Sequence, residues 1–353
     1  MSKVSMPSKI FGTVLSHGLR GRMLSRNELQ TLAESRDMEE LVTRMKNTVY
    51  LDALAKLSKP FTAEKIEIAL MEYLVNTHAK MVNITGGAGI LSAYFVRYIT
   101  WNLKQVLKGK ALGKSYEELL PKINLRAEEL VGRRDLVVKA LVAKDLEEAV
   151  SSLSGSEFAE DAAKALTAYK EKPDLRIFDI YLDHAYYQAI DRAMVMESQD
   201  HDVKKIVASD IDSYNVLCIL RGKYWGLSPE DINELVVTTT PKITKETIQK
   251  MINAEGINEA ISELSNTVYK DIIPQGGTDD IEAILQIEKG FEVISIKRVI
   301  SAFRSVFSVG IMLSALKLMN IEVRNLAAIA SGVEQRVPVE EITARLIRPE
   351  TET

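Results

Sequence analysis

Two sets of three related segments recur along the chain at one period, and they constrain its fold more than any other feature. The first set is ITWNLKQVLKGKALGKSYEELL from Ile99, IDSYNVLCILRGKYWGLSPEDINEL from Ile211 and IEVRNLAAIASGVEQRVPVEEITARL from Ile321. Aligned on Asn102, Asn215 and Asn325, each has Gly seven residues on (Gly109, Gly222, Gly332) and Glu fifteen residues on (Glu117, Glu230, Glu340). The steps between the asparagines are 113 and 110 residues. The second set is DMEELVTRMKNTVYLDAL from Asp37, DLEEAVSSLSGSEFAEDA from Asp145 and GINEAISELSNTVYKDII from Gly256, with aromatic anchors Tyr50, Phe158 and Tyr269 spaced 108 and 111 residues apart. Two sets in the same order at the same period point to a threefold internal duplication. The chain therefore reads as repeat units 1–130, 131–245 and 246–353, the first carrying a basic N-terminal segment.

The units read as helical. Apolar residues at Ile281, Ile284, Leu285, Phe291 and Ile294, and at Leu29, Leu32, Leu41 and Met45, keep helical spacing. Strand-like alternation is confined to ELVVTTTPKIT (Glu234 to Thr244), where Pro241 interrupts it. The fold class expected is all-α. Within each unit the Asn is expected near the start of a helix that ends at the repeated Gly, in the left-handed geometry that closes helices. Ser115, Ser228 and Pro338 then precede acidic residues, which is the chemistry of a helix start. The Asn amide is expected to bond backbone or side chains at that junction, as a repeated structural device rather than a catalytic one.

Composition limits the function. Apolar residues make up 46% and charged residues 27%, enough to build substantial cores. A net charge of -4 gives no reason to expect nucleic-acid binding. The first 26 residues depart from that average, since Lys3, Lys9, Arg20, Arg22 and Arg26 face no acid there. That end reads as a solvated arm or as a contact for an acidic partner. Cys218 is the one cysteine and sits among apolar neighbours, so it reads as a core residue in a reducing compartment. No secretory signal is visible. The longest apolar stretches, Met81 to Val96 and Ser305 to Leu316, fall short of the ~20 residues that cross a bilayer.

Catalytic chemistry is thin. GKALGKS (Gly109 to Ser115) imitates a phosphate loop, but it has one residue too few between its glycines and follows a helix. GGAG (Gly86 to Gly89) lacks the last Gly of a dinucleotide turn, and Asp279-Asp280 lack a third acid because residue 283 is Ala. The best metal or acid–base candidate is Asp179, Asp183, Glu197 and His201, two pairs each sharing a helical face. A metal site in a helical bundle needs matching ligand pairs from separate helices, and one acidic cluster does not supply them. No cofactor is expected. Three similar helical units favour a quasi-threefold body with equivalent surfaces about one axis, which suits a connector better than a catalyst.

Three segments carry a resemblance that spans the chain. FGTVLSHGLRGRMLSRNELQTLAES, DIDSYNVLCILRGKYWGL (with Asp212, Asn215, Arg221 and Lys223) and IEVRNLAAIASG (with Glu322 three residues before Asn325) resemble the C subunits of the archaeal-type (A-type) rotary ATP synthases, counterparts of the vacuolar ATPase d subunits. The first repeat departs from the pattern, since Ile99 stands where the others have an acid. The resemblance implies three helical domains in a funnel, seated peripherally on the cytoplasmic face of the cell membrane. It implies a membrane proteolipid ring and the D and F subunits of the central stalk as partners. The implied role is torque transmission during proton or sodium transport and ATP synthesis, without catalytic residues. The rival reading is an all-helical metal-dependent enzyme built on Asp179, Asp183, Glu197 and His201.

Overall fold

Helix-start chemistry recurs along the chain, and the helices follow it. Ser25, Asp37, Thr62, Asp145, Ser228 and Thr244 each stand at an N-cap and accept a hydrogen bond from a backbone N–H in the first turn. The computed structural model describes residues 4–196, 200–237, 242–274 and 279–347; among these there are helices, turns and loops and no strand. Val236, from the alternating stretch, has extended dihedrals, Val236 and Val237 belong to no strand, and 238–241 lie outside the described residues. Seven helices organise the description: α1 (Met6–Arg20), α2 (Ala63–Ile84), α3 (Gly89–Ala111), α4 (Arg176–Met196), α5 (His201–Tyr224), α6 (Asp280–Ala302) and α7 (Val309–Glu334).

The chain forms two compact units, one from Met1–Leu91 with Val299–Thr353 and one from Ser92–Arg298. In the first, α7 packs against α2 and α1, so the two ends of the sequence share a core. The opening half of α7 is apolar all round, and Ile311, Met312, Leu313, Ala315 and Leu316 are buried with no solvent stripe between them. Ile66, Leu70, Leu74 and Met81 of α2 are fully buried as well. Each such large side chain contributes about 1.5–3 kcal/mol of burial. In the second unit, Val216, Ile219 and Leu220 of α5 join Ile248, Met251, Ile261, Tyr269 and Phe291 in one cluster.

The apolar stretch Met81 to Val96 is not one helix. Gly86 and Gly87, at φ of 67° and 83°, turn the chain between α2 and α3 in a conformation that only glycine adopts freely. No helix of the described residues is long and apolar enough to cross a membrane.

Candidate functional site: repeated clamps and an aromatic wall

Each repeated Asn makes the same pair of hydrogen bonds to one residue 22 positions downstream. The Asn215 amide donates to the carbonyl of Val237 at 3.1 Å, and its oxygen accepts from the Val237 N–H at 2.9 Å. Asn325 clamps Ile347 at 2.7 and 2.9 Å. Asn102 clamps Asn124 at 2.7 and 3.2 Å and donates a further bond, at 2.7 Å, to the buried Glu128 carboxylate. A primary amide reproduces the donor–acceptor pair of a peptide group, so it satisfies a returning chain segment as a neighbouring strand would. All three asparagines are buried.

The glycines act differently from the expectation. Helices α3, α5 and α7 run on past Gly109, Gly222 and Gly332, and the asparagines lie well inside these helices rather than at their starts. The left-handed stop comes eleven residues after each Asn, at Gly113, Gly226 and Arg336, with φ of 69°, 73° and 57°. The repeated Gly instead permits a close crossing by the next short helix. A Cβ there would meet Leu119, Ile232 or Ile342 at 2.2, 2.8 and 2.6 Å, each ten residues after its Gly. The glycine carbonyls also accept the bond that closes each helix end, from Lys114, Leu227 and Val337 at 3.0, 2.9 and 2.9 Å. Glu117, Glu230 and Glu340 occupy the first turn of the crossing helices Tyr116–Leu119, Pro229–Leu235 and Val339–Ala344. Ser115 and Ser228 close capping boxes with Glu118 and Asp231, whereas Pro338 makes no side-chain cap.

The aromatic anchors repeat as well. The hydroxyls of Thr48, Ser156 and Thr267 donate three residues back, to Met45, Leu153 and Leu264, and accept from the N–H of Tyr50, Phe158 and Tyr269. These hydroxyl turns escaped the sequence reading, though TVY, SEF and TVY spell them. The Tyr50 hydroxyl donates to Glu322 at 2.5 Å, and the Tyr269 hydroxyl donates to Asp212 at 2.6 Å. Both acids stand three residues before a repeated Asn. Burial pushes Glu322 up to about 7 and Asp212 up to about 6. The exception in the first repeat now has a physical reason. Where Ile99 replaces the acid, the corresponding aromatic is Phe158, which has no hydroxyl, and both are buried.

In the second unit, α3, α4 and α5 share a wall of tyrosines and ion pairs. Lys104 pairs with Asp183 at 2.6 Å and Lys108 with Asp179 at 2.9 Å. Tyr187 and Tyr214 stack with ring centroids 4.2 Å apart, Tyr186 meets Tyr187 edge-on at 5.0 Å, and Tyr94 donates to Asp210. Asp183 keeps 43% of its side-chain surface exposed, yet burial raises its carboxyl above the ordinary value, with Lys104 opposing. Burial holds the Tyr94, Tyr187 and Tyr214 phenols neutral and pushes the Cys218 thiol up to about 12, so Cys218 is no nucleophile.

Among the described residues, Asp179, Asp183 and His201 do not come together as metal ligands. Asp179 and Asp183 are neutralised by lysines of α3, and His201 begins α5 behind its cap Asp200. Glu197 lies outside the described residues. Among the described residues no group of three His, Cys, Asp or Glu could hold a metal ion. His184 spends its two ring nitrogens on Asp161, at 2.7 Å, and Gln188, at 3.0 Å. Tyr94 and Tyr186 of this wall are buried and Tyr187 and Tyr214 part-buried, so its phenols, rings and ion pairs hold α3, α4 and α5 to one another.

Sequence comparison agrees with this architecture. The A-type ATP synthase C subunit of Methanocaldococcus jannaschii is 26% identical, covering 91% of this chain and 81% of the relative. The proteins of the same name from Methanothermobacter thermautotrophicus (27% identical; 88% and 80% covered) and Archaeoglobus fulgidus (24%; 93% and 93%) match over similar spans. The pattern of the ATP synthase (C/AC39) subunit family fits residues 13–345. The chain belongs to the ATP synthase (C/AC39) subunit family and is a subunit of a rotary ATP synthase.

Proposed function

We propose that this subunit is a non-catalytic connector. It links a membrane proteolipid ring to the D and F subunits of the central stalk on the cytoplasmic face of the membrane, and it passes torque between ion transport and ATP synthesis. In this reading the three repeats, 1–130, 131–245 and 246–353, are equivalent mechanical modules. The observation that carries the proposal is the Asn clamp, present three times with the same 22-residue reach. A torque-bearing piece must resist shear between helices, and a buried two-bond clamp beside a glycine-permitted crossing locks each long helix to the chain that leaves it. The part-exposed pair Tyr187 and Tyr214, with the buried tyrosines behind it, stiffens the join of α3, α4 and α5 and lies within reach of a stalk partner.

The test is affinity purification of the tagged protein from native membranes in mild detergent. Recovery of the ring together with D and F supports the connector. Recovery of neither overturns it. A functional arm weakens the wall with Tyr187→Ala and Tyr214→Ala and measures ATP hydrolysis beside ion pumping in the intact complex. Hydrolysis should persist while pumping falls.

A further inference from the structure

Glu322 of α7 is a buried acid whose two oxygens both go to the beginning of the chain. Oε2 accepts from the Leu24 N–H at 2.8 Å, and Oε1 accepts from the Tyr50 hydroxyl at 2.5 Å. Leu24 lies between α1 and the short helix Arg26–Ala33, and Tyr50 ends the turn that follows the helix Met38–Met45. Both short helices pack against α7. One carboxyl therefore fastens two points, 26 residues apart in sequence, of a segment that lies on a single helix.

The charges around this carboxyl do not balance it. Among the described residues no Lys, Arg or His pairs with Glu322. Arg22, in the linker after α1, donates to the Gly18 carbonyl at 3.1 Å and faces Tyr73 of α2. Glu28 of Arg26–Ala33 adds a second negative charge. From Met38–Met45, Arg44 pairs with Glu40 at 2.7 Å. The Tyr73 ring meets the Tyr50 ring edge-on at 5.5 Å, and Asp52 faces Tyr73. On α7 itself Arg324 is exposed. An ionised Glu322 is thus a buried charge that two neutral donors solvate and no cation compensates. The equivalent acid in the other unit differs: Asp212 takes the Tyr269 hydroxyl in the same way, but Arg298 stands over the Tyr269 ring at 5.8 Å and favours its charge.

We propose that Glu322 is a proton-operated latch that holds the segment from Leu24 to Tyr50 against α7 when protonated and lets it lift locally when ionised. In the closed state one oxygen accepts from Leu24 and the other carries the proton shared with Tyr50. When the proton leaves to solvent, both oxygens can only accept, and the uncompensated charge draws water. Water reaches it only if Leu24 and Tyr50 move away. Burial raises the carboxyl to about 7, so stability of the closed state is complete at low pH and is lost as pH rises through that value. Asp212 ionises beside Arg298 and stays closed. The latch needs no partner, so it stands or falls separately from the connector reading.

The experiment is hydrogen–deuterium exchange of the full chain between about pH 5.5 and 8.5, corrected for the intrinsic effect of pH and read on peptides covering 21–33, 46–54 and 264–273. In the wild type, protection of 21–33 and 46–54 should fall by about tenfold or more as pH rises, while 264–273 changes little. Glu322→Gln, uncharged at every pH, should keep the first two peptides flat. Tyr50→Phe keeps the ring but removes a donor to the carboxylate, so it should move the midpoint to higher pH. It also tests the latch should Glu322→Gln fold poorly. Wild-type and Glu322→Gln profiles that run parallel would overturn the proposal. So would an opening that spreads equally to 264–273, or a midpoint that Tyr50→Phe leaves in place.

Discussion

Asn215→Ala tests the clamp most directly. Asn215 is fully buried, and its partner Val237 is 2% exposed. Truncation leaves a buried N–H and a buried carbonyl without partners. Each orphaned group costs about 1–3 kcal/mol, so the variant should lose about 2–6 kcal/mol. A water entering the vacated space would hold the loss near the lower end. The readout is unusually specific, because both tryptophans, Trp101 and Trp225, belong to the Ser92–Arg298 unit. Urea unfolding followed by tryptophan fluorescence therefore reports that unit, and the midpoint should fall with little change of slope. Asn215→Asp sharpens the test: it keeps the shape but turns an acceptor toward the Val237 carbonyl, so at neutral pH it should destabilise at least as much as Ala. Asn325→Ala should cost less, since Ile347 is only half-buried and water can satisfy it. A loss below about 1 kcal/mol for Asn215→Ala would refute the clamp as a source of rigidity.

Three further outcomes follow from the same geometry. Gly222→Ala should destabilise by about 1–3 kcal/mol through overpacking against Ile232, whereas Gly18→Ala, helical with nothing within 4 Å of the added methyl, should stabilise by about 0.5–1 kcal/mol; chemical denaturation separates the two signs. Arg336 holds the left-handed position that glycine takes in the other repeats, so Arg336→Gly should raise the stability of its unit by up to about 1 kcal/mol in a urea titration followed by far-UV circular dichroism. The Glu322 carboxyl is raised from 4.5 to about 7, so the folded state holds its proton more tightly than the unfolded chain does, and stability falls as pH rises across that window. Relative to Glu322→Gln, the wild type should lose up to about 3 kcal/mol between those pH values, and parallel stability profiles of the two proteins would contradict this.

Much of this was legible in residue order. The helical class follows from apolar spacing, the starts of the crossing helices from Ser115 and Ser228 with their acids, and the repetition from the recurrence of Asn, Gly and Glu at one period. What faces the acidic pair was not legible: Asp179 and Asp183 share a helical face, and that face meets Lys104 and Lys108. A shared face says nothing about what stands opposite.

Tertiary structure decided the rest. The clamp partners are Asn124, Val237 and Ile347, three unlike residues, because the clamp bonds to backbone and the partner's side chain carries no signal. The repeated glycines looked like helix ends, yet their role depends on which side chain crosses them, and that is a property of packing. Tyr50 and Glu322 are 272 residues apart, so only the shared core of the two chain ends brings phenol and carboxyl together. Helix α1 makes the division plain. Its sequence shows an apolar stripe and a small polar one, and ordinary burial would turn the apolar stripe inward. In the structure the small face meets α7, with Gly12 against Met312, while Met6, Ile10, Phe11 and Val14 stay exposed, because which face a helix buries is set by what packs against it and not by its own periodicity.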